Sequence, residues 1–117
     1  MRGRTYKVTF MYGPPQRHEL VAHFSALGNP TRLRIVETLA REASGASEVT
    51  VSQLATALRM SQPRISWHLG LLRRGWVVRQ RKEGRAVYCS LDLDNVRRVQ
   101  NAVWALLTEH RRIGVST

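Results

Sequence analysis

The chain has 117 residues, room for one domain of ordinary size and too little for two. Lys and Arg total 19 against 8 Asp and Glu, a formal charge of +11 at pH 7 that points to a polyanionic partner, nucleic acid before an anionic membrane. A single cysteine, Cys89, excludes an internal disulfide framework and a multi-thiolate zinc site within one chain, and with no run of 18 apolar residues or secretory leader pattern the protein is expected to be cytoplasmic, without membrane contact.

Residues 1–16 read as a basic arm in which Tyr6, Val8 and Phe10 alternate with Thr5, Lys7 and Thr9 until Gly13-Pro14-Pro15 breaks the pattern. The spacing predicts a short strand or a loose tail there. Residues 17–113 read as one domain. Its first helix carries Leu20, His23, Phe24 and Leu27 on one side and ends at Gly28. Asn29 then stands where an N-cap is wanted, with Pro30 at the first helical position and Leu33, Val36 and Leu39 on one stripe of a second helix. Residues 41–47 read as a loop, Glu48 to Val51 as a one-strand contact, and Ser52 to Leu58 as a short third helix.

Ser61 can cap the next helix, Pro63 is tolerated in its first turn and Gly75 stops it. Two short helices separated by a tight turn make a helix-turn-helix. Ile65, Leu69 and Leu72 form the buried stripe, which leaves Pro63, Arg64, Trp67, Gly70 and Arg74 on an outer, basic face fit for a major groove about 12 Å wide. After Gly75 the period becomes that of strands: residues 76–81 and 86–91 flank the turn Lys82-Glu83-Gly84-Arg85, a hairpin with a basic tip. Between residues 51 and 90 eight basic residues face Glu83 alone, so that stretch carries +7 of the total +11. The last helix opens with Asp92 or Asp94 as cap and runs to about Arg112, with Val96, Val99, Val103, Leu106, His110 and Ile113 at the seam spacing of paired helices and Trp104 and Leu107 widening the apolar side. So broad an apolar surface predicts homodimerisation, together with Leu20, Phe24 and Leu27 of the first helix.

The run Ala26-Leu27-Gly28-Asn29-Pro30-Thr31-Arg32-Leu33-Arg34-Ile35, then Gln53-Leu54-Ala55, Ser61-Gln62 through His68-Leu69, Leu72 to Val77 and the wing ending Gly84 to Tyr88 resembles the ArsR/SmtB family of bacterial winged-helix repressors. The resemblance implies a mainly α fold with a small β-hairpin, a winged helix-turn-helix dimeric through its terminal helices, and a dimer that leaves a pseudo-palindromic operator when an inducer binds. On this reading Ser61, Gln62, Arg64, Ser66, Trp67 and His68 contact bases or nearby phosphates of double-stranded DNA, Arg81, Lys82 and Arg85 on the wing grip its backbone or minor groove, and Arg74 on the outer helix face is a further DNA-binding residue.

Metal-sensing members begin the third helix with Glu-x-Cys-x-Cys; here Thr50 and Ser52 replace the thiolates. Aligned on Asp94, the family's other metal site would fall on Val96, Leu107 and His110, so no metal and no cofactor is expected. His18 and His23, five residues apart, do not share a helix face. Arg59 occupies a position where many members have Gly in a left-handed turn, at a strain of about 1 kcal/mol. The reading is a sequence-specific DNA-binding regulator and repressor, with a non-specific architectural or RNA-binding protein and a redox regulator using Cys89 as alternatives. No paired carboxylates, nucleophile-base spacing or phosphate loop suggests an enzyme.

Overall fold

The computed structural model describes residues 13–42 and 48–116, with side chains through Glu109; most of the arm and the core of the predicted 41–47 loop lie outside the described residues. Among the described residues, five helices and three strands follow in the order α1 (Arg17–Leu27), α2 (Pro30–Glu42), β1 (Val49–Thr50), α3 (Val51–Leu58), α4 (Gln62–Arg74), β2 (Val78–Glu83), β3 (Ala86–Leu91) and α5 (Leu93–Ser116). Local chemistry sets most of these limits. The Asn29 side chain accepts the Arg32 N–H at 3.1 Å, the Ser61 hydroxyl accepts the Arg64 N–H at 3.3 Å, and Thr50 and Gln53 satisfy each other's backbone donors in a capping box.

Asp92, not Asp94, caps the last helix, its carboxylate accepting the Asn95 N–H at 3.1 Å. The helix itself continues past the expected Arg112 to Ser116.

The hairpin pairs Val78 with Leu91 through Glu83 with Ala86, and β1 adds to its other side, pairing Val49 with Cys89 and Thr50 with Tyr88, for a sheet order β1-β3-β2. The turn is shorter than the sequence suggests: only Gly84 and Arg85 lie between the strands, with Gly84 at φ 61° supplying the positive angle a two-residue turn requires. The core lies where α2, α3, α4 and the sheet meet, around Ile35, Leu39, Leu54, Ile65, Leu69, Leu72, Val78 and Cys89.

Among the described residues, two other than glycine take left-handed backbone conformations. Arg59 does adopt the left-handed conformation, φ 57°, as the C-cap of α3. Gly75, however, ends α4 at φ −86°, and the left-handed residue is its neighbour Trp76 at φ 60°. Gly75 is needed for space: a Cβ there would stand 2.8 Å from both the Ala22 carbonyl oxygen and the Ala26 methyl. Helix α1 therefore packs directly on the end of α4, and the His23 Nδ1–H donates to the Gly75 carbonyl at 2.8 Å.

The same junction is held from α5. The Asn95 amide donates to the Trp76 carbonyl at 2.9 Å, while Arg98 lies over the Trp76 ring and pairs with Glu19 of α1 at 3.3 Å.

Two substitutions separate strain from contact. Arg59→Gly should raise unfolding stability by about 1 kcal/mol by relieving the left-handed cap. Gly75→Ala should lower it by roughly 1–3 kcal/mol by overpacking against α1. Chemical denaturation of both variants checks the pair.

Candidate nucleic-acid interface

Helix α4 packs on the core by Ile65, Leu69 and Leu72, and its remaining surface is presented outward by that packing. Ser61, Gln62, Pro63, Arg64, Ser66, Trp67 and Arg74 are exposed, and Gly70 has open space where a Cβ would stand. Trp67 is 63% exposed, its indole meeting the His68 ring edge-on at 5.0 Å between centroids. The Gln62 amide reaches back to the Ser52 hydroxyl at 3.4 Å, which ties the start of α4 to α3. At the wing Lys82 and Arg85 are exposed, one at the end of β2 and the other in the turn.

Two of the expected DNA-contacting residues also have partners within the protomer. His68 is only 7% exposed, and its Nδ1 accepts a hydrogen bond from the Arg32 guanidinium at 3.1 Å. Arginine can only donate, so the neutral ring keeps its proton on Nε2. Arg32 in turn donates through Nε to the Ala26 carbonyl at 2.8 Å. Arg81 is taken by two carboxylates, Glu48 at 2.9 Å and Glu83 at 2.6 Å, with its guanidinium 4.5 Å above the Tyr88 ring. These contacts raise the Arg81 pKa further and lower that of Glu48. The spacing of basic residues showed their density and missed these partners, because Glu48 lies 33 residues from Arg81 and Arg32 lies 36 from His68.

The residues expected at a dimer seam are not all at the surface. Val99 is 1% exposed, buried within the protomer, and Leu27 packs against the core. Leu20, Val96 and Val103 are half-buried, Phe24 and Leu106 are exposed, and the side chain of His110 lies outside the described residues. Among the described side chains the most exposed apolar ones on α5 are Leu93, Trp104 and Leu107, and on α1 Val21, which the helical stripe did not include. A wheel identifies one apolar face; it does not say which edge of that face the protomer covers itself.

Cys89 is buried in the sheet. Burial pushes its thiol up to about 11, and the Gln80 amide is its neighbour at 4.0 Å. A thiol held neutral in this way is the reverse of what a reactive sensor requires. Thr50, the first of the two hydroxyl residues in the Glu48–Ser52 run, commits its hydroxyl to the α3 cap. Among the described residues no three His, Cys, Asp or Glu side chains come together as a metal site.

Helix, turn, helix and antiparallel wing define a winged-helix domain. A family described as a helix-turn-helix domain matches residues 27–81. The nodulation protein NolR of Rhizobium meliloti is 35% identical over 94 residues, 77% of this chain and 73% of that protein. The transcriptional repressor SmtB homolog of Synechocystis is 40% identical over 76 residues, 65% of this chain and 54% of that protein, so the match spans about half that relative's length. The crystal structure of an ArsR-family transcriptional regulator superposes with a TM-score of 0.65 at 28% identity, covering 89% of this chain and 98% of the other. A homodimeric winged helix-turn-helix DNA-binding domain from Mycobacterium bovis, solved by NMR, gives 0.60 at 29% identity over 84% and 91% of the two chains. The chain belongs to the ArsR/SmtB family of transcriptional regulators.

Burial lowers the pKa of both His23 and His68, and for His68 the cations Arg32 and Arg64 add to the effect. The unfolded chain therefore binds these protons more readily than the native state, so the stability they contribute is complete above the unfolded value near 6.5 and is lost as pH falls below it. Asp92, whose pKa burial raises, acts with the opposite sign in the carboxylate range. The melting temperature should drop between about pH 7.5 and about pH 5.5, and drop less steeply in His68→Gln, which keeps an acceptor for Arg32 but does not titrate.

Proposed function

We propose that this chain is a sequence-specific, DNA-binding transcriptional repressor that acts as a homodimer. The observation that carries the reading is the outer face of α4, where Ser61, Gln62, Arg64, Ser66 and Trp67 stand exposed on a helix whose opposite side is locked into the core. An α-helix about 10–12 Å across fits a major groove about 12 Å wide, and Arg64 carries the bidentate geometry that reads guanine. Trp67 offers an apolar surface to a thymine methyl or a sugar. Arg74, Lys82 and Arg85 supply backbone contacts that hold register without reading sequence.

Dimerisation is supported by the exposed apolar side chains Val21 and Phe24 on α1 and Trp104, Leu106 and Leu107 on α5, and by the homodimeric state of the Mycobacterium bovis domain. Two copies related by a two-fold axis would place their α4 helices roughly 34 Å apart, one turn of B-DNA, and so read a pseudo-palindrome. Release from DNA would follow a signal other than metal at the start of α3, since the hydroxyls of Thr50 and Ser52 are poor ligands for soft ions.

A shift assay tests the reading with DNA recovered alongside the protein from its host. The bound fragment should be preferred over bulk DNA by about 10³ or more at physiological salt; a non-specific binder would show no such preference. Arg64→Ala should cost about 1–3 kcal/mol on that fragment and relax one base position, whereas Lys82→Ala should weaken all duplexes alike and lower the salt slope by about 1. Equal losses for Arg64→Ala on specific and random duplex would remove it as a base reader.

A further inference from the structure

A cleft of about 510 Å³ opens between the start of α2 and the first turns of α4, lined by Asn29, Thr31, Pro63, Arg64, Trp67 and His68. The N-termini of two helices, each of 13 residues, converge on it. Both bring the positive ends of their dipoles to one place, and among the described residues no acidic side chain lines the cleft.

The donors of the first turn of α2 can be accounted for one by one. Pro30 has no N–H, and the Arg32 N–H is capped by Asn29. That leaves the Thr31 N–H, with its hydroxyl beside it, without a partner among the described residues. The Arg64 guanidinium likewise has none among the described residues. His68, nine-tenths buried, brings a ring whose Nδ1 is occupied by Arg32 and whose remaining nitrogen is a donor. An acceptor-only, negatively charged group suits every one of these.

A helix lying in the major groove nearly fills its width, so whatever flanks that helix meets the groove wall, and the groove wall is a phosphate strand. We propose that this cleft, between Thr31 of α2 and Arg64 of α4, seats a backbone phosphate of the DNA and so fixes the depth and tilt of the reading helix. The inference rests on the function proposed above and adds a contact from α2, outside the helix-turn-helix and the wing. Arg32 serves as a positioning residue, holding the His68 ring at the cleft while its own Nε is tied to α1 through the Ala26 carbonyl.

Thr31→Glu is the informative variant, because an acidic residue in the first turn favours helix α2 while opposing a phosphate. Its melting temperature should be unchanged or raised. Its affinity should nonetheless fall by at least about tenfold on specific and random duplex alike, with a salt slope smaller by about 1 than that of the unaltered protein. Ala40→Glu, the same charge change at an exposed position near the other end of α2, serves as the control and should change affinity by less than about threefold.

Neutral methylphosphonate linkages, introduced one at a time into the bound fragment, locate the phosphate. One position in each half-site should weaken the unaltered protein and have little further effect on Thr31→Glu, the non-additivity expected of groups in contact. Binding by Thr31→Glu equal to that of the control, or additive losses at every linkage, would overturn the phosphate seat and leave the regulator reading standing. Failure of the unaltered chain to bind any duplex would overturn both.

Discussion

The orientation of α4, the helix proposed to read DNA, depends on one crowded junction at its end. Gly75 and Trp76 are gripped by α1 through the His23 hydrogen bond and the contact that leaves no room for a Cβ, and by α5 through Asn95 and Arg98. The Arg98–Glu19 pair then ties α5 to α1 across the same point, with both side chains largely buried. The two helices that carry the exposed apolar surface thus hold the helix that carries the exposed polar one.

Much of the architecture was legible because it is written in local chemistry. Asn29 and Ser61 cap the helices they precede, Gly84 takes the positive angle in the wing turn, and Ile65, Leu69 and Leu72 occupy the buried stripe. What escaped depends on neighbours distant in sequence. Gly75 looks like a helix stop, but its necessity comes from Ala22 and Ala26 some fifty residues earlier. Nothing in Trp76 announces a left-handed backbone; the hydrogen bond from Asn95 and the overlying Arg98 hold it there. His68 and Arg81 belonged to a recognisable basic stretch, and only the folded chain brings Arg32 and Glu48 to them. On α5 the helical wheel shows one apolar stripe, but Val99 within it turns inward because the protomer covers that edge itself.

These pairings redistribute the charge that the composition announces. Two carboxylates offset Arg81, so the wing's exposed positive charge is concentrated at its tip, in Lys82 and Arg85. On the reading helix the exposed cation nearest the N-terminus is Arg64, beside the only first-turn donor of α2 left over by its cap. A net charge of +11 therefore acts through a few positions set by the fold, and the remainder supplies long-range attraction that salt screens.

The exposed indole of Trp104, 70% accessible, and the neighbouring Leu107 sit well along a helix of 24 residues, past the part that Val99 anchors to the domain. A single subunit keeps these exposed apolar side chains in water and, on the function proposed above, would offer DNA one helix to read with. For the homodimeric repressor proposed above, assembly and occupancy of the operator would become one equilibrium, and the protein's own abundance would set the threshold at which transcription is silenced. Dilution at cell division would loosen repression before any signalling molecule arrived.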